Sequence, residues 1–149
     1  MPSFEHVRTT LVATPPATAR ALVADFHAWR TWSPWEPLDP QLERTYGGPD
    51  EGVGARYAWA GKKAGAGSMV ITAATPDRVD IDLDFERPIK AQNKVVFRFE
   101  SEGDGTRVTW TMSGQRSLLL AILGALFFDR MLGKDFEHGL AKLKAAAEA

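Results

Sequence analysis

The chain has 149 residues, 44% of them hydrophobic and 25% charged, with a formal net charge of -1 and no cysteine. One globular domain spanning 1–149 with a real core fits that length and balance, and the absence of a basic field argues against phosphate-rich partners. Without cysteine there are no disulfides, no thiolate catalysis, no iron–sulfur clusters and no cysteine-based zinc sites.

The N-terminal stretch MPSFEHVRTTLV has neither a basic leader nor an apolar core, so no signal peptide is expected. Phe4 to Ala13 is short, rich in Val and Thr and closed by Pro15-Pro16, and reads as a first strand. Thr14 is expected to cap the helix that follows, with the two prolines in its first turn. Ala19, Leu22, Val23 and Phe26 share one face of that helix.

WRTWSPWEP then places three of the five tryptophans within Trp29–Trp35. A second short helix, Phe26 to Trp32, must end there, because Pro34 excludes Ser33 from the helical region. Trp29 and Trp32 therefore share a face, Trp35 anchors the following loop, and the three rings form no continuous stacking surface.

From Leu42 onward, strands alternate with turn signals: LERTYGG, ARYAWAG, GSMVITAAT, RVDIDLDFERP, NKVVFRFES and TRVTWTMSG. Val79, Ile81, Leu83 and Phe85 oppose Asp80, Asp82, Asp84 and Glu86, and Val95, Phe97 and Phe99 share one face, as do Val108, Trp110 and Met112. These six strands describe an antiparallel meander wetted on one side. Its inner face carries Tyr57, Trp59, Phe85, Phe97, Phe99 and Trp110. The cover comes from the helix after Gly114. Its second half is amphipathic, with Phe136, Leu140 and Leu143 inward and Lys134, Glu137, Lys142 and Lys144 outward. Its first half, Leu118 to Phe128, is apolar all round; at eleven residues it is too short for a bilayer, so it is sandwiched or lines a cavity. A break or kink is expected at Gly133. Stable membrane insertion is not expected, and a soluble, cytoplasmic protein is.

The order strand, two short helices, six strands and long C-terminal helix resembles the α+β helix-grip (START/Bet v 1-like) fold of the SRPBCC superfamily, in its bacterial polyketide cyclase/dehydrase-like branch. The likeness is carried by Trp32-Ser33-Pro34-Trp35-Glu36, Tyr46-Gly47-Gly48-Pro49 with Gly52-Val53-Gly54, and Trp59 before Gly61. Gly67-Ser68-Met69, Thr109-Trp110 and the tail Gly133 to Leu140 add to it. What the resemblance implies is a curved seven-stranded antiparallel sheet wrapped around the long helix, with an apolar cavity between them. Lipids, hormones and polyketides are bound there across the superfamily, and a minority of members are enzymes.

Catalytic candidates are thin. His6 lies on a strand whose facing the sequence does not determine, His27 lies near the tryptophans, and His138 falls on a solvated side. HExxH, GxSxG, P-loop and GxGxxG motifs are absent. The acidic row from Asp80 to Glu86 reads as a solvated outer face, with Arg56, Arg78 and Arg98 as neighbours, and no metal or cofactor is expected. Gly47, Gly48, Gly52 and Gly54 precede a strand rather than a helix, so they form a hairpin and no phosphate cradle. Gly61, Gly65 and Gly67 form another, with Lys62-Lys63 at its tip.

The aromatic set carries the functional reading, although roughly half of it is plain core on ordinary burial logic. Large rings and soft methionines favour a ligand-filled cavity. Its expected wall is Tyr57, Trp59, Met69, Phe85, Phe97, Trp110 and Met112, with Phe127, Phe128 and Met131 closing it from the helix and Trp32 at the rim. This describes a carrier or sensor of a small hydrophobic molecule, with no catalytic group assigned. One alternative is a cyclase, aromatase or dehydratase using Tyr57 and His27 for proton transfer. Another is an interaction module with Leu118 to Phe128 as docking surface or homodimer seam. Nucleic-acid binding ranks last, since stacking rings without a basic track lack the electrostatic part of affinity.

Overall fold

Period-two alternation carries most of the chain into one sheet, and the helices fall where that alternation stops. The computed structural model describes residues 3–33, 41–62, 65–87, 90–115 and 118–149, with side chains described outside residues 3, 115 and 118–132. The strands are β1 (Ser3–Val12), β2 (Glu43–Gly47), β3 (Arg56–Gly61), β4 (Gly65–Thr75), β5 (Arg78–Arg87), β6 (Ala91–Glu102) and β7 (Gly105–Gln115). They form one seven-stranded sheet in the order β1-β7-β6-β5-β4-β3-β2, every neighbouring pair antiparallel. Two register shifts in β4, at Ala66/Gly67 and Ile71/Ala73, add local bend to the sheet.

Two prolines decide where α1 (Pro16–Ala24) begins. The expected cap, Thr14, is not used. A residue before proline is pushed out of the helical region, so Pro15, at φ -62° and ψ 157°, is itself the last extended residue and the N-cap. Thr14 instead lends its carbonyl to the Thr106 hydroxyl at 2.7 Å.

The far end of α1 is closed by tryptophan. The last carbonyls of a helix have no partner within it. Here the Trp32 indole N–H donates to the Leu22 carbonyl at 2.8 Å and the Trp29 indole N–H to the Val23 carbonyl at 2.9 Å. The Gly52 amide completes the set on the Ala24 carbonyl at 3.0 Å. The second helix expected over Phe26–Trp32 is a single 3₁₀ turn, Ala28–Thr31, which ends before Pro34 as anticipated. Trp35 lies outside the described residues.

α2 (Leu118–Glu148) runs unbroken through Gly133, where a break or kink was expected. A Cβ there would stand 2.7 Å from the Arg8 guanidinium, the far end of a flexible side chain. Arg8 also reaches Glu137 at 3.5 Å. Phe136, Leu140, Leu143 and Ala147 form the buried stripe of the second half.

β1 is an edge strand, and the end of α2 occupies its open backbone groups, a common protection of sheet edges. Lys144 Nζ donates to the Leu11 carbonyl at 3.0 Å and to Glu148 Oε2 at 2.5 Å, and that same Glu148 oxygen accepts the Ala13 amide at 2.8 Å.

Replacing Trp32 by Phe keeps a ring but strips the Leu22 carbonyl of its donor, and is expected to cost about 1–3 kcal/mol in urea unfolding; an unchanged midpoint would contradict the capping role. The bond from Lys144, then the Ala13 amide, holds the Glu148 carboxyl below the ordinary glutamate range. A depressed folded pKa stabilises fully above the unfolded value and is lost as pH falls through the folded one. Hydrogen-exchange protection of the Ala13 amide is therefore expected to fall on acidification below the glutamate range in the wild type, and to lose that pH-linked fall in Glu148→Gln, whose amide does not titrate.

Candidate functional site

The register lays the inner face out in rows that cross the sheet. One row runs Tyr46, Tyr57, Met69, Leu83, Asn93, Gly114 and Phe4, each directly opposite the next. A shorter row lies on one side of it, with Arg44, Trp59, Gly67, Phe85 and Ala91. On its other side follow Ile71, Ile81, Val95, Met112 and His6, and then Val79, Phe97 and Trp110.

Exposure divides these rows. Phe97, Val79, Val108, Trp32 and Phe136 have 0% of their surface exposed, and Trp110 has 1%. Trp110 stacks on Phe136 at 4.0 Å and 7°, and Trp32 meets Phe97 and Trp110 edge-on at 5.8 and 5.7 Å. This half is dry, closely packed core under the 3₁₀ turn and the second half of α2. The long row is different: Phe4 and Met69 keep 9%, Tyr57 7%, Leu83 6% and Asn93 5%, while Trp59 and Phe85 beyond it are only half-buried.

The candidate residues separate accordingly. Tyr57, Trp59, Met69 and Phe85 stand together on the less covered half, and Met112 lies at the boundary. Phe97 and Trp110 belong to the dry half. Trp32 is at no rim, because its indole is tied to Leu22 and its ring is enclosed on the sheet side. Phe127, Phe128 and Met131 lie on α2 outside the described side chains. Traced back from Gly133, which lies on Arg8, the helix axis runs toward the Phe4 end of β1. The first half of α2 begins two residues after β7 and approaches the sheet from that end.

Gly67 lets Trp59 lie flat on β4, since a Cβ there would stand 2.5 Å from the indole. Trp59 then meets Phe85 edge-on at 5.8 Å and stacks along Tyr57 at 6.1 Å. Two further side chains of the inner face escape a reading based on aromatic residues. His6, unplaced by sequence, points inward with its ring 6.5 Å from Phe136, and Asn93 is buried beside Gly114. Asn93 shares the parity of Val95, Phe97 and Phe99, so alternation alone contained its facing.

His27 is half-exposed, with Nδ1 2.8 Å from Asp25 Oδ1 and its ring stacked on Tyr46 at 4.0 Å. It borders a shallow pocket of about 100 Å³ beside Phe26 and the Gly47–Asp50 turn, room for a few waters. That turn needs glycine at Gly48, whose φ is +69° and where a Cβ would strike the Gly54 carbonyl oxygen. His138 is exposed. The acidic row faces outward: Asp80 pairs with Arg78, and Asp82 with Lys94 at 2.9 Å. Such exposed pairs are worth little. Among the described residues no group of acids and histidines is arranged to hold a metal ion, and no helix is long and apolar enough to cross a membrane.

A curved antiparallel sheet closed by a long C-terminal helix and two short helical pieces is the helix-grip arrangement. Residues 3–148 match the family described as polyketide cyclase / dehydrase and lipid transport, and the chain belongs to that family, of the SRPBCC type. No curated protein matches the chain. Among solved structures it is similar to protein CV1439 from Chromobacterium violaceum, at 14% identity, TM-score 0.70 and 97% coverage of both chains. It is also similar to the Aha1 dimer from Colwellia psychrerythraea, at 16% identity and TM-score 0.68, covering 99% of this chain and 97% of that one. Ara h 8.0201 follows at 12% identity and TM-score 0.63, covering 99% and 96%. At such identities the likeness shows the fold alone.

Proposed function

We propose that the protein binds a small hydrophobic molecule against the less covered half of the sheet's inner face, as a carrier or sensor. The observation that supports this reading most directly is the split in exposure. The rings of Trp32, Phe97 and Trp110 are enclosed, while Tyr57, Trp59, Met69 and Phe85 are less covered. Apolar surface left beside a completed core has a large driving force for a ligand of matching size, about 25 cal/mol for each Å² it buries. Aromatic rings and methionine add polarisable contact without demanding one exact shape. Membership of a family whose description includes lipid transport is consistent with such cargo. The protein acts in solution without inserting into the bilayer.

Catalysis draws less support from the geometry. His27 and Tyr57 are separated along a ring series, His27 on Tyr46 at 4.0 Å and Tyr46 on Tyr57 at 5.3 Å, and His27 faces solvent.

Filling the less covered half should block binding without unfolding the chain. Native mass spectrometry and tryptophan quenching with a fatty acid, a flavonoid and an aromatic polyketide are expected to give saturable binding of at least one of them. Met69→Trp and Leu83→Trp are expected to weaken it about tenfold or more, the loss of a few apolar contacts. No saturable binding to wild type, or binding indifferent to both substitutions, would contradict the reading.

A further inference from the structure

Four polar side chains are buried among the described residues: His6, Ser33, Asn93 and Thr106. Thr106 has a structural task, since its hydroxyl donates to the Thr14 carbonyl at 2.7 Å. Ser33 lies just beyond the 3₁₀ turn, where its amide donates to the Trp29 carbonyl at 2.7 Å. His6 and Asn93 are placed differently. Both sit on the inner face of the sheet, in adjoining rows, at the end toward which the first half of α2 runs.

Gly114 makes their arrangement specific. It stands between Asn93 and Phe4 in the long row, and a Cβ there would be 2.3 Å from Asn93 Oδ1. The carboxamide therefore leans over the bare backbone of β7, in the space a side chain at 114 would have filled. Met112, two residues along on the same face, pairs with His6. The amide of Asn93 and the imidazole of His6 thus flank one spot, bordered by Phe4, Leu83 and Met112. A carboxamide within an apolar face is costly unless something hydrogen-bonds to it. It offers two N–H donors and a carbonyl acceptor.

We propose that this spot is the polar end of the ligand site, and that the ligand is amphipathic, with an uncharged oxygen group, a hydroxyl or carbonyl, held by Asn93 and His6. The inference rests on the hydrophobic-ligand reading above and specifies its cargo. The apolar body of the ligand extends from this end along Leu83, Met69 and Tyr57. Among the described residues, Arg8, the cation on the inner side of β1, is turned to Gly133 and Glu137, and Arg44 lies on β2 at the opposite edge of the sheet from β1. An uncharged oxygen needs no counter-ion and matches the donors and acceptor of the Asn93 carboxamide.

A matched pair of probes tests this: 2-naphthol and 2-methylnaphthalene, equal in shape and differing in a hydroxyl against a methyl, titrated calorimetrically into the full chain. Wild type is expected to prefer 2-naphthol about tenfold, the worth of one net hydrogen bond between uncharged groups. Asn93→Leu is expected to erase that preference by weakening 2-naphthol while leaving 2-methylnaphthalene bound as well or better, and His6→Phe to reduce it. In the unmodified protein, the Asn93 side-chain amide resonances are expected to shift with 2-naphthol and hardly at all with 2-methylnaphthalene, a readout independent of whether the variants fold. Equal affinity for the two probes in wild type, or unmoved Asn93 resonances at saturation with 2-naphthol, would overturn the polar-end assignment while the hydrophobic site stands. Binding of neither probe would overturn both.

Discussion

Two indole N–H groups, on Trp29 and Trp32, close the C-terminus of α1, and the division of the molecule follows from them. A helix that ends inside a protein must find donors for its last carbonyls, and few side chains bring a donor while also filling a core. By bonding the Val23 and Leu22 carbonyls at 2.9 and 2.8 Å, these tryptophans pin α1 to the 3₁₀ turn and set their own rings over Phe97 and Trp110. Phe136 of α2 lies on the other face of that cluster. One half of the sheet is thereby sealed with large, mutually fitted rings.

The sealed half leaves the rest of the inner face less covered. A sheet this wide and bent has more apolar surface than one short helix and one helical turn can cover, so the surplus is displaced to the Tyr57–Phe4 row. Packing the core tightly at one end and leaving polarisable side chains less covered at the other would let stability and the proposed binding be tuned separately. The charges gathered on the outer face add solubility and little else.

Much of the fold was legible because alternation is a strong signal where one face is wet and the other buried. The acidic row of β5 marked its outer face unambiguously, and Pro34 ended the 3₁₀ turn by simple sterics. Thr14 misled because two successive prolines shift the cap by one residue, an effect no single-residue preference contains. Gly133 misled because one glycine costs a helix only about 1 kcal/mol, too little to break one held by the buried stripe of Phe136, Leu140 and Leu143. The site was half legible. Residue type and alternation placed Tyr57, Met69, Phe97, Trp110 and Met112 on the inner face, yet nothing in the sequence distinguishes a ring enclosed by its neighbours from one less covered. β1 was opaque for another reason: Val7 and Leu11 are exposed at 41% and 51%, so both its faces look apolar and the facing of His6 is hidden.

The sharpest expression of this picture is a contrast within one core, between Met69 and Leu83 in the long row and Val79 and Val108 in the sealed half. Xenon enters apolar cavities and stays out of close-packed core, so methyl NMR of the purified chain under xenon pressure reads the contrast without knowing the ligand. The expected result is a saturable shift of the Met69 and Leu83 methyls with Val79 and Val108 unmoved. Shifts of equal size in both sets, or in neither, would contradict the division of the sheet on which the proposed function stands.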